Sequence, residues 1–403
     1  MSNAMLGLTF WEEHVVDSLI ERADGSLLLK LTEDPEMPAR CGGCRQECVL
    51  IHERQRRLVR ERDWFDRRVW LEVPIRRMDC HHCGARVVEH IRWLECRSRV
   101  TQRLCAWIEA LTELLPIAHV AKLTGLNWHT IKEIDHRRLA RVNGEFVAND
   151  VRRLVMDEFA QHKGHRYATV VMDADRMRVL WVGEGNSRDA IRPFFKLLGP
   201  ERCRRIEAVA MDMNTAFDLE VQQHCPQAGV VYDLFHVVAR FGRDVVDRVR
   251  VDQANTLRDQ PAARQVIKRG RWLLLRNHHN LKDNQHVRLD ELLAANAPLA
   301  RVYLLKTELK EIWYAPSVRE GARRWRRWYR MAIDSQLAPA IHFARRLKKY
   351  LRGILASAIY PMNSSILEGV NNKIKLIKRM AYGFRDSAYF FLKIKAAFPG
   401  KAR

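Results

Sequence analysis

"RRLVMDEFA", Arg152–Ala160, ends a short apolar run in two adjacent acids. An unpaired charge is too costly inside a packed strand to be kept for packing alone. The run is therefore read as a strand whose end presents Asp157 to a crevice. Glu158 faces the other way, because side chains alternate along a strand. The same form returns in "IEAVAMDMN", residues 206–214, where Asp212 follows a second apolar run.

The segments around these two runs set the fold. "RYATVVMDAD" (166–175) and "RMRVLWVGEG" (176–185) read as two further strands, paired antiparallel. "SRDAIRPFFKLLG" (187–199) and "TAFDLEVQQHCP" (215–226) read as helices, and "AGVVYDLFHVV" (228–238) as a fifth strand. The order β-β-β-α-β-α-β is that of an α/β ribonuclease-H-like core. Asp157 and Asp212 would then share one edge and repel each other unless a divalent cation lay between them. Oxygen ligands suit Mg²⁺ or Mn²⁺. Asp173, Asp175 and Glu184 also stand at strand ends, where hairpin turns favour acids as well. Asp233 and His236 lie within or just after the fifth strand, as site support or as ordinary strand-end polar residues.

From about 240 to 360 no strand pattern is present, and Arg, Lys and Trp are frequent. The stretch reads as an inserted helical domain. Trp313, Trp325 and Trp328 are candidates either for base stacking or for its core. Beyond it, "SSILEGVNNKIKLIKRM" (364–380) is an amphipathic helix with one acid, Glu368, among basic residues. Ser365 and Glu368 fit a capping box. Glu368 is equally placed to supply a third carboxylate to the crevice, with Lys373 and Lys375 along DNA phosphates.

Upstream of the core stand two C-x-x-C pairs, Cys41–Cys44 and Cys80–Cys83, separated by 35 residues. Two such knuckles joined by strands fit a zinc ribbon, in which four thiolates hold one structural Zn²⁺. Cys48, His81 and His82 are possible substitute ligands. Residues 15–32 read as a hairpin, and "RRVWLEVPIRRMDC" (67–80) as strand-like. "PIAHVAKLTGLNWHTIKEIDHRRL" (116–139) has the helix-turn-helix form. A small residue (Ala121) stands where the helices approach, a glycine (Gly125) at the turn, and an apolar anchor (Ile131) on the second helix. Asn127, Trp128, His129, Thr130 and Lys132 would lie at the reading end of the recognition helix.

Composition agrees with this plan. In 403 residues, 70 Lys and Arg face 48 Asp and Glu, a formal net charge of +22. Nucleic acid is the natural counter-charge. No stretch of 18 apolar residues suggests a membrane span. Glu12 and Glu13 break the first apolar stretch, against a secretory leader. A cytoplasmic protein with no membrane partner is expected, and the resemblance given below implies a bacterial, nucleoid-associated one.

With these motifs in view, the chain resembles the DDE transposases of bacterial insertion sequences, specifically the ISL3 family. "VMDEFA", "VAMDMNTAF", "YDLFHVV" and "SSILEGVNNKIKLIKRMAYGFRD" carry the resemblance, with the zinc-ribbon and helix-turn-helix motifs before them. It implies that Asp157, Asp212 and Glu368 are a catalytic triad holding two Mg²⁺ or Mn²⁺ ions. Asp233 and His236 fall on a D-x-x-H element, and Cys41, Cys44, Cys80 and Cys83 on the zinc ligands. The implied activity is cut-and-paste transposition: binding of the element's terminal inverted repeats, strand cleavage, and transfer into target DNA by a homodimer or larger assembly. The expected segments are residues 1–93 (zinc binding), 94–150 (helix-turn-helix), 151–239 (core, first part), 240–360 (helical insertion) and 361–403 (core, C-terminal helix). A zinc and helix-turn-helix regulator without chemistry, and a ribonuclease-H-like nuclease, are the other functions that fit parts of this pattern.

Overall fold

The computed structural model describes residues 10–146, 148–162, 166–362 and 365–401, and the side chains of residues 365–368 lie outside that description. The chain forms two compact units, dividing between Arg141 and Val142.

In the first unit, β1 (His14–Glu21) and β2 (Leu27–Glu33) form the expected antiparallel hairpin. Two longer strands follow, β3 (Ile51–Trp64) and β4 (Arg67–Asp79), then the short β5 (Arg86–Val88). The sheet order is β1-β2-β4-β3, with β5 also paired to β4. Strict alternation builds the core of β4: Val69, Leu71, Val73 and Ile75 are buried while the residues between them are not. The β3–β4 hairpin accounts for the wide interval between the two cysteine pairs, because it is inserted between the knuckles. Three helices complete the unit: α1 (Gln102–Leu114), α2 (Ile117–Thr124) and α3 (Trp128–Asn143). Thr101 caps α1 by accepting from Leu104 N. Gly125 ends α2 at φ +67°, a left-handed conformation that glycine adopts freely. Leu104, Ile108, Val120, Ile131 and Ile134 are the shared core of the three helices.

The second unit is mixed α/β. Its strands are β6 (Arg153–His162), β7 (Arg166–Asp173), β8 (Arg178–Glu184), β9 (Ala208–Met211) and β10 (Gly229–Tyr232). Helices α4 (Arg188–Arg205) and α5 (Thr215–His224) fall between β8, β9 and β10, in the element order expected from the sequence. The sheet order is β10-β9-β6-β7-β8. The β6–β7–β8 half is antiparallel, and β6, β9 and β10 are parallel.

From Leu234 to Ala358 the chain is helical. The helices are α6 (Leu234–Phe241), α7 (Asp247–Thr256), α8 (Pro261–Arg269), α9 (Arg271–Leu275), α10 (Asp283–Ala295), α11 (Ala297–Glu311), α12 (Val318–Asp334), α13 (Ala338–Leu347) and α14 (Leu351–Leu355). Trp325 and Trp328 are buried in this helical core. Trp328 Nε1 donates to Leu305 O, and Trp313 Nε1 donates to Tyr232 O. Their indole faces are spent on packing, which removes Trp325 and Trp328 as base-stacking platforms. The chain closes with α15 (Ser365–Met380) and α16 (Ser387–Ala397).

The two faces of the β6 sheet have different partners. Leu154 and Met156 pack towards Phe194, Phe195 and Phe217. Val155 and Phe159 pack with Val370, Ile374, Phe390 and Ile394 of α15 and α16. Asp157 shares the parity of Val155 and Phe159, so it faces the α15 side. Among the described residues no helix is long and apolar enough to cross a membrane.

Candidate active site

Three aspartates converge because three strands are in register. Met156 of β6 pairs with Met211 of β9, and Met211 pairs with Tyr232 of β10. The next residue in each strand direction is Asp157, Asp212 and Asp233. Asp212 lies just past its strand; the fifth strand, read as 228–238, ends at Tyr232, because Asp233 caps a helix that begins at Leu234 and carries His236. Asp157 does not end its strand: β6 continues to His162, because β7 still pairs with it where β9 has stopped. Asp157 therefore projects from mid-strand at the place where the parallel half of the sheet opens.

The hydrogen bonds around these acids are specific. Asp157 is buried; its Oδ1 accepts from Glu158 N at 2.8 Å and its Oδ2 from Asn371 Nδ2 of α15 at 2.5 Å. Asp212 Oδ1 accepts from Met213 N at 2.5 Å. Asp233 caps α6, accepting from Phe235 N at 2.8 Å. His236, one helical turn later, stands between two acids: Nδ1 is 3.4 Å from Asp212 Oδ2, and Nε2 is 3.7 Å from Asp233 Oδ2. Asp233 and His236 are thus joined to Asp212, and the capping role is an additional function of Asp233.

Burial pushes the Asp157 carboxyl up from its ordinary 3.8 to about 6. The Glu158 N–H, the charge of His236 and the Asn371 amide pull it down, while the nearby Asp212 adds to the rise. Such a group favours any cation that lets it ionise. Asn371 Oδ1 is buried with no hydrogen-bond partner among the described residues, leaving a further oxygen donor beside Asp157.

Glu368 lies on α15 by the helix bounds, but its side chain, like the Ser365 capping box, is outside the described residues. It stands three positions before Asn371, an i, i+3 spacing that shares one helix face. Lys375 is exposed. Lys373 donates to Ala397 O at 2.5 Å and lies over the Phe398 ring, so it also fastens α15 to the chain end. Asp173, Asp175 and Glu158 are otherwise employed, Asp175 in an ion pair with Arg153. Asp173 Oδ1 accepts from Asp175 N and Arg176 N in the β7–β8 turn. Glu158, on the opposite face as expected, accepts from Asn186 and Asn214. Asn371 was missed by the sequence reading, since an Asn on a helix carries no signal of its own.

In the first unit, the Sγ atoms of Cys41, Cys44, Cys80 and Cys83 all lie within 4.8 Å of one another. Cys41–Cys83 is 3.8 Å and Cys44–Cys80 is 3.6 Å. A tetrahedral ZnS₄ centre with Zn–S of about 2.3 Å has edges of about 3.8 Å, so the four thiols fit zinc. A hydrogen bond from the Cys83 backbone N–H, outweighing burial, brings the Cys80 thiol down to about 6. Cys48 instead donates to Asp79 O, and the exposed His81 and His82 rings lie against each other. Neither histidine belongs to the cluster.

At the start of α3, Trp128 and His129 are exposed, and Thr130 and Lys132 are half-buried. Asn127 is exposed too, but its Oδ1 caps the helix by accepting from His129 N at 2.8 Å. Lys132 Nζ lies 5.9 Å from the Trp128 ring centre.

A cysteine cluster and a helix-turn-helix in one unit, and acids gathered at a sheet crevice in the other, give the make-up of a DNA transposase. The family comparisons agree along the chain. Residues 37–83 match the zinc-finger of transposases IS204/IS1001/IS1096/IS1165, residues 89–139 the helix-turn-helix domain of transposase family ISL3, and residues 154–394 the ISL3-type DDE transposase domain. The chain belongs to the ISL3 family of insertion-sequence transposases. It is 52% identical over 363 residues to the transposase for insertion sequence element IS1001 of Bordetella parapertussis, covering 90% of this chain and 89% of that one. It is 28% identical over 370 residues to the transposase for insertion sequence element IS1557 of Mycobacterium tuberculosis, covering 86% and 83%.

Proposed function

We propose that the second unit contains a ribonuclease-H-like core, made of residues 151–239 and 361–403 and interrupted by a helical insertion at 240–360, with Asp157, Asp212 and Glu368 as its catalytic carboxylates. The observation that carries this reading is the register of Met156, Met211 and Tyr232 on three neighbouring strands, which brings the acids that follow them, Asp157, Asp212 and Asp233, to one crevice. Asp157, Asp212 and Glu368 would hold two Mg²⁺ or Mn²⁺ ions, which when bound stabilise charge on the attacking and leaving oxygens of an in-line phosphoryl displacement. The oxygen donors fit such ions, and a cation beside the buried Asp157 favours its ionised form. Asn371 keeps the Asp157 carboxylate aimed, and His236 keeps Asp212 and Asp233 in one network.

In this reading residues 1–93 and 94–150 bind the terminal inverted repeats of the element. The recognition helix offers Asn127, Trp128, His129, Thr130 and Lys132 to base edges, and Lys373 and Lys375 lie along phosphates. One strand is cut at each end, and the freed 3′-hydroxyl attacks target DNA. Pairing two ends requires a homodimer or larger assembly on DNA. The test is incubation with duplex carrying the element's own ends, with Mg²⁺, and mapping of cut and joined products. Cleavage at the element boundaries, abolished in Asp212→Asn, supports the reading; boundary cleavage that persists in Asp212→Asn removes that residue from the triad.

A further inference from the structure

The tip of the β3–β4 hairpin presents a residue that the fold does not explain. Trp64 pairs with Arg67, leaving Phe65 and Asp66 as a two-residue turn. Phe65 has φ +52° and is 100% exposed. Two-residue hairpin turns place Gly, Asn or Asp at such positions, because a bulky side chain is strained there. An aromatic ring held in strained backbone and fully in water contributes nothing to packing. Strain of this kind points to a use outside the fold.

The tip half of the hairpin is held firmly against the helix-turn-helix. Buried Glu61 accepts from Trp11 Nε1, Arg62 N, Thr101 Oγ1 and Arg103 Nε, tying β3 to the cap of α1. Arg60 donates to Val69 O and to Thr124 O, the last residue of α2. The Arg68 guanidinium lies over Gly125, where an added Cβ would come within 2.7 Å of it. Trp64 stacks on Trp11 with ring centres 6.1 Å apart. The tip is thus rigidly placed beside the turn that leads into α3.

The tip's charge suits a polyanion. Arg62, Arg67 and Arg68 are exposed around it. Of the nearby acids, Asp63 pairs with Arg60 and Glu21 with Arg67, while Asp66 is exposed.

We infer that the β3–β4 hairpin is a wing that enters the minor groove next to the site read by α3, with Phe65 wedged between base pairs and Arg62 and Arg68 on the flanking phosphates. Minor-groove proteins insert apolar side chains between base steps in this manner, unstacking and kinking the duplex. The inference rests on α3 as the DNA-reading helix. It adds a second contact that senses how easily the adjoining step deforms.

The test uses full-length protein and a duplex carrying the element's terminal repeat, with 2-aminopurine placed in turn at each step beside the α3 site. Wild type should bind this duplex in preference to random DNA and raise the fluorescence at one step. Phe65→Gly suits the turn and should fold at least as well. It should bind about tenfold more weakly, the scale of one lost base–aromatic stack, and show no fluorescence rise. Phe65→Trp should retain both signals. Netropsin, a minor-groove ligand, should weaken wild type towards the Phe65→Gly level and leave that variant little changed. Equal affinity and equal fluorescence in Phe65→Gly overturn the wing. Altered self-association of Phe65→Gly with unchanged DNA binding also overturns it, giving the tip to a protein contact. If Asn127→Ala with His129→Ala keeps full preference for the end while Phe65→Gly still loses its signal, the reading of α3 fails and the wedge stands.

Discussion

The side-chain amide of Asn371 donates to Asp157 Oδ2 at 2.5 Å, joining residues 214 positions apart in the chain. The bond links the strand that opens the crevice to the helix that carries Glu368. Apolar contacts reinforce it, since Val370 and Ile374 of α15 are buried under the same face of β6. Lys378 Nζ donates to Ala160 O further along the same strand. The helix is therefore docked at several points, of which Asn371 is the one that touches a proposed catalytic acid.

Asn371→Ala removes a hydrogen bond to a carboxylate, worth about 1.5–3 kcal/mol. Cleavage of element ends should slow by about 10- to 100-fold on that scale. Binding to the same DNA should be unchanged, because Asn371 belongs to the second unit and contacts Asp157, whereas the proposed reading residues Asn127 to Lys132 belong to the first. Asn371→Asp sets a like charge against Asp157 and should be slower still. Raising Mn²⁺ should partly rescue Asn371→Ala if the residue acts by aiming Asp157. Rates of end cleavage across a Mn²⁺ series decide this, and a flat response would make Asn371 merely a packing residue.

The raised Asp157 gives a pH signature. Its folded value of about 6 exceeds the ordinary 3.8, so the folded state binds this proton more tightly than the unfolded state. The resulting stability is fully present below about 3.8 and is lost as pH rises through about 6. The loss is on the order of 3 kcal/mol, since each unit of displacement is about 1.4 kcal/mol. Melting of chelated protein between pH 4.5 and 7.5, set against Asp157→Asn, isolates this contribution, and the variant should show the shallower decline. Adding Mn²⁺ should stabilise wild type more at pH 7.5 than at pH 5, because the ionised acid is the ligand.

Zinc is expected at about one ion per chain, bound by Cys41, Cys44, Cys80 and Cys83. Cys80→Ser should lose the ion and destabilise the first unit, as structural zinc sites contribute directly to folding. Cys48→Ser should keep the ion, because Cys48 is engaged with Asp79 O outside the cluster. Metal analysis of the three proteins, purified without chelator, checks both statements. Loss of zinc from Cys48→Ser with retention in Cys80→Ser would reverse the ligand assignment.

Legibility from sequence followed the strength of the physical pattern. The core strands were plain because β6, β7 and β9 are nearly continuous apolar runs, buried on both faces. The cysteine pairs were plain because their chemistry requires a fixed spacing. By contrast, β3 reads "IHERQRRLVRERDW", with two apolar side chains, Leu58 and Val59, in its middle, and its outer half is solvated. Cross-strand pairing with β4 makes it a strand, and pairing is not visible in a single segment. The position of Asp157 within β6 has the same origin: β7 continues the strand past the acid. Asn371 was hidden because its role depends on a contact with a strand 214 residues away. The sequence left Trp325 and Trp328 open between base stacking and the core, because they stand among arginines; α12 buries one narrow stripe and leaves the arginines outside.

Glu368 remains the residue on which the two accounts of α15 differ. Ser365 and Glu368 have capping-box spacing, and a box accepts Gln as readily as Glu. A cap of that kind is worth about 0.5–2 kcal/mol of helix stability, nearly all of which Gln would keep. A ligand to Mg²⁺ must instead supply an anionic oxygen, which a neutral amide cannot replace. Glu368 stands three positions before Asn371, whose amide reaches Asp157, and on that spacing it is the acid we propose as the third ligand. Glu368→Gln should therefore melt like wild type and bind element ends with the same affinity. Strand cleavage and strand transfer in Mg²⁺ should be lost, by at least about a thousandfold if the carboxylate carries several kcal/mol of transition-state stabilisation. Gel-resolved cleavage of an end-labelled duplex measures this directly. If Glu368→Gln cuts at close to the normal rate, the cap is its function, and Asp233, already joined to Asp212 through His236, becomes the third acid to substitute.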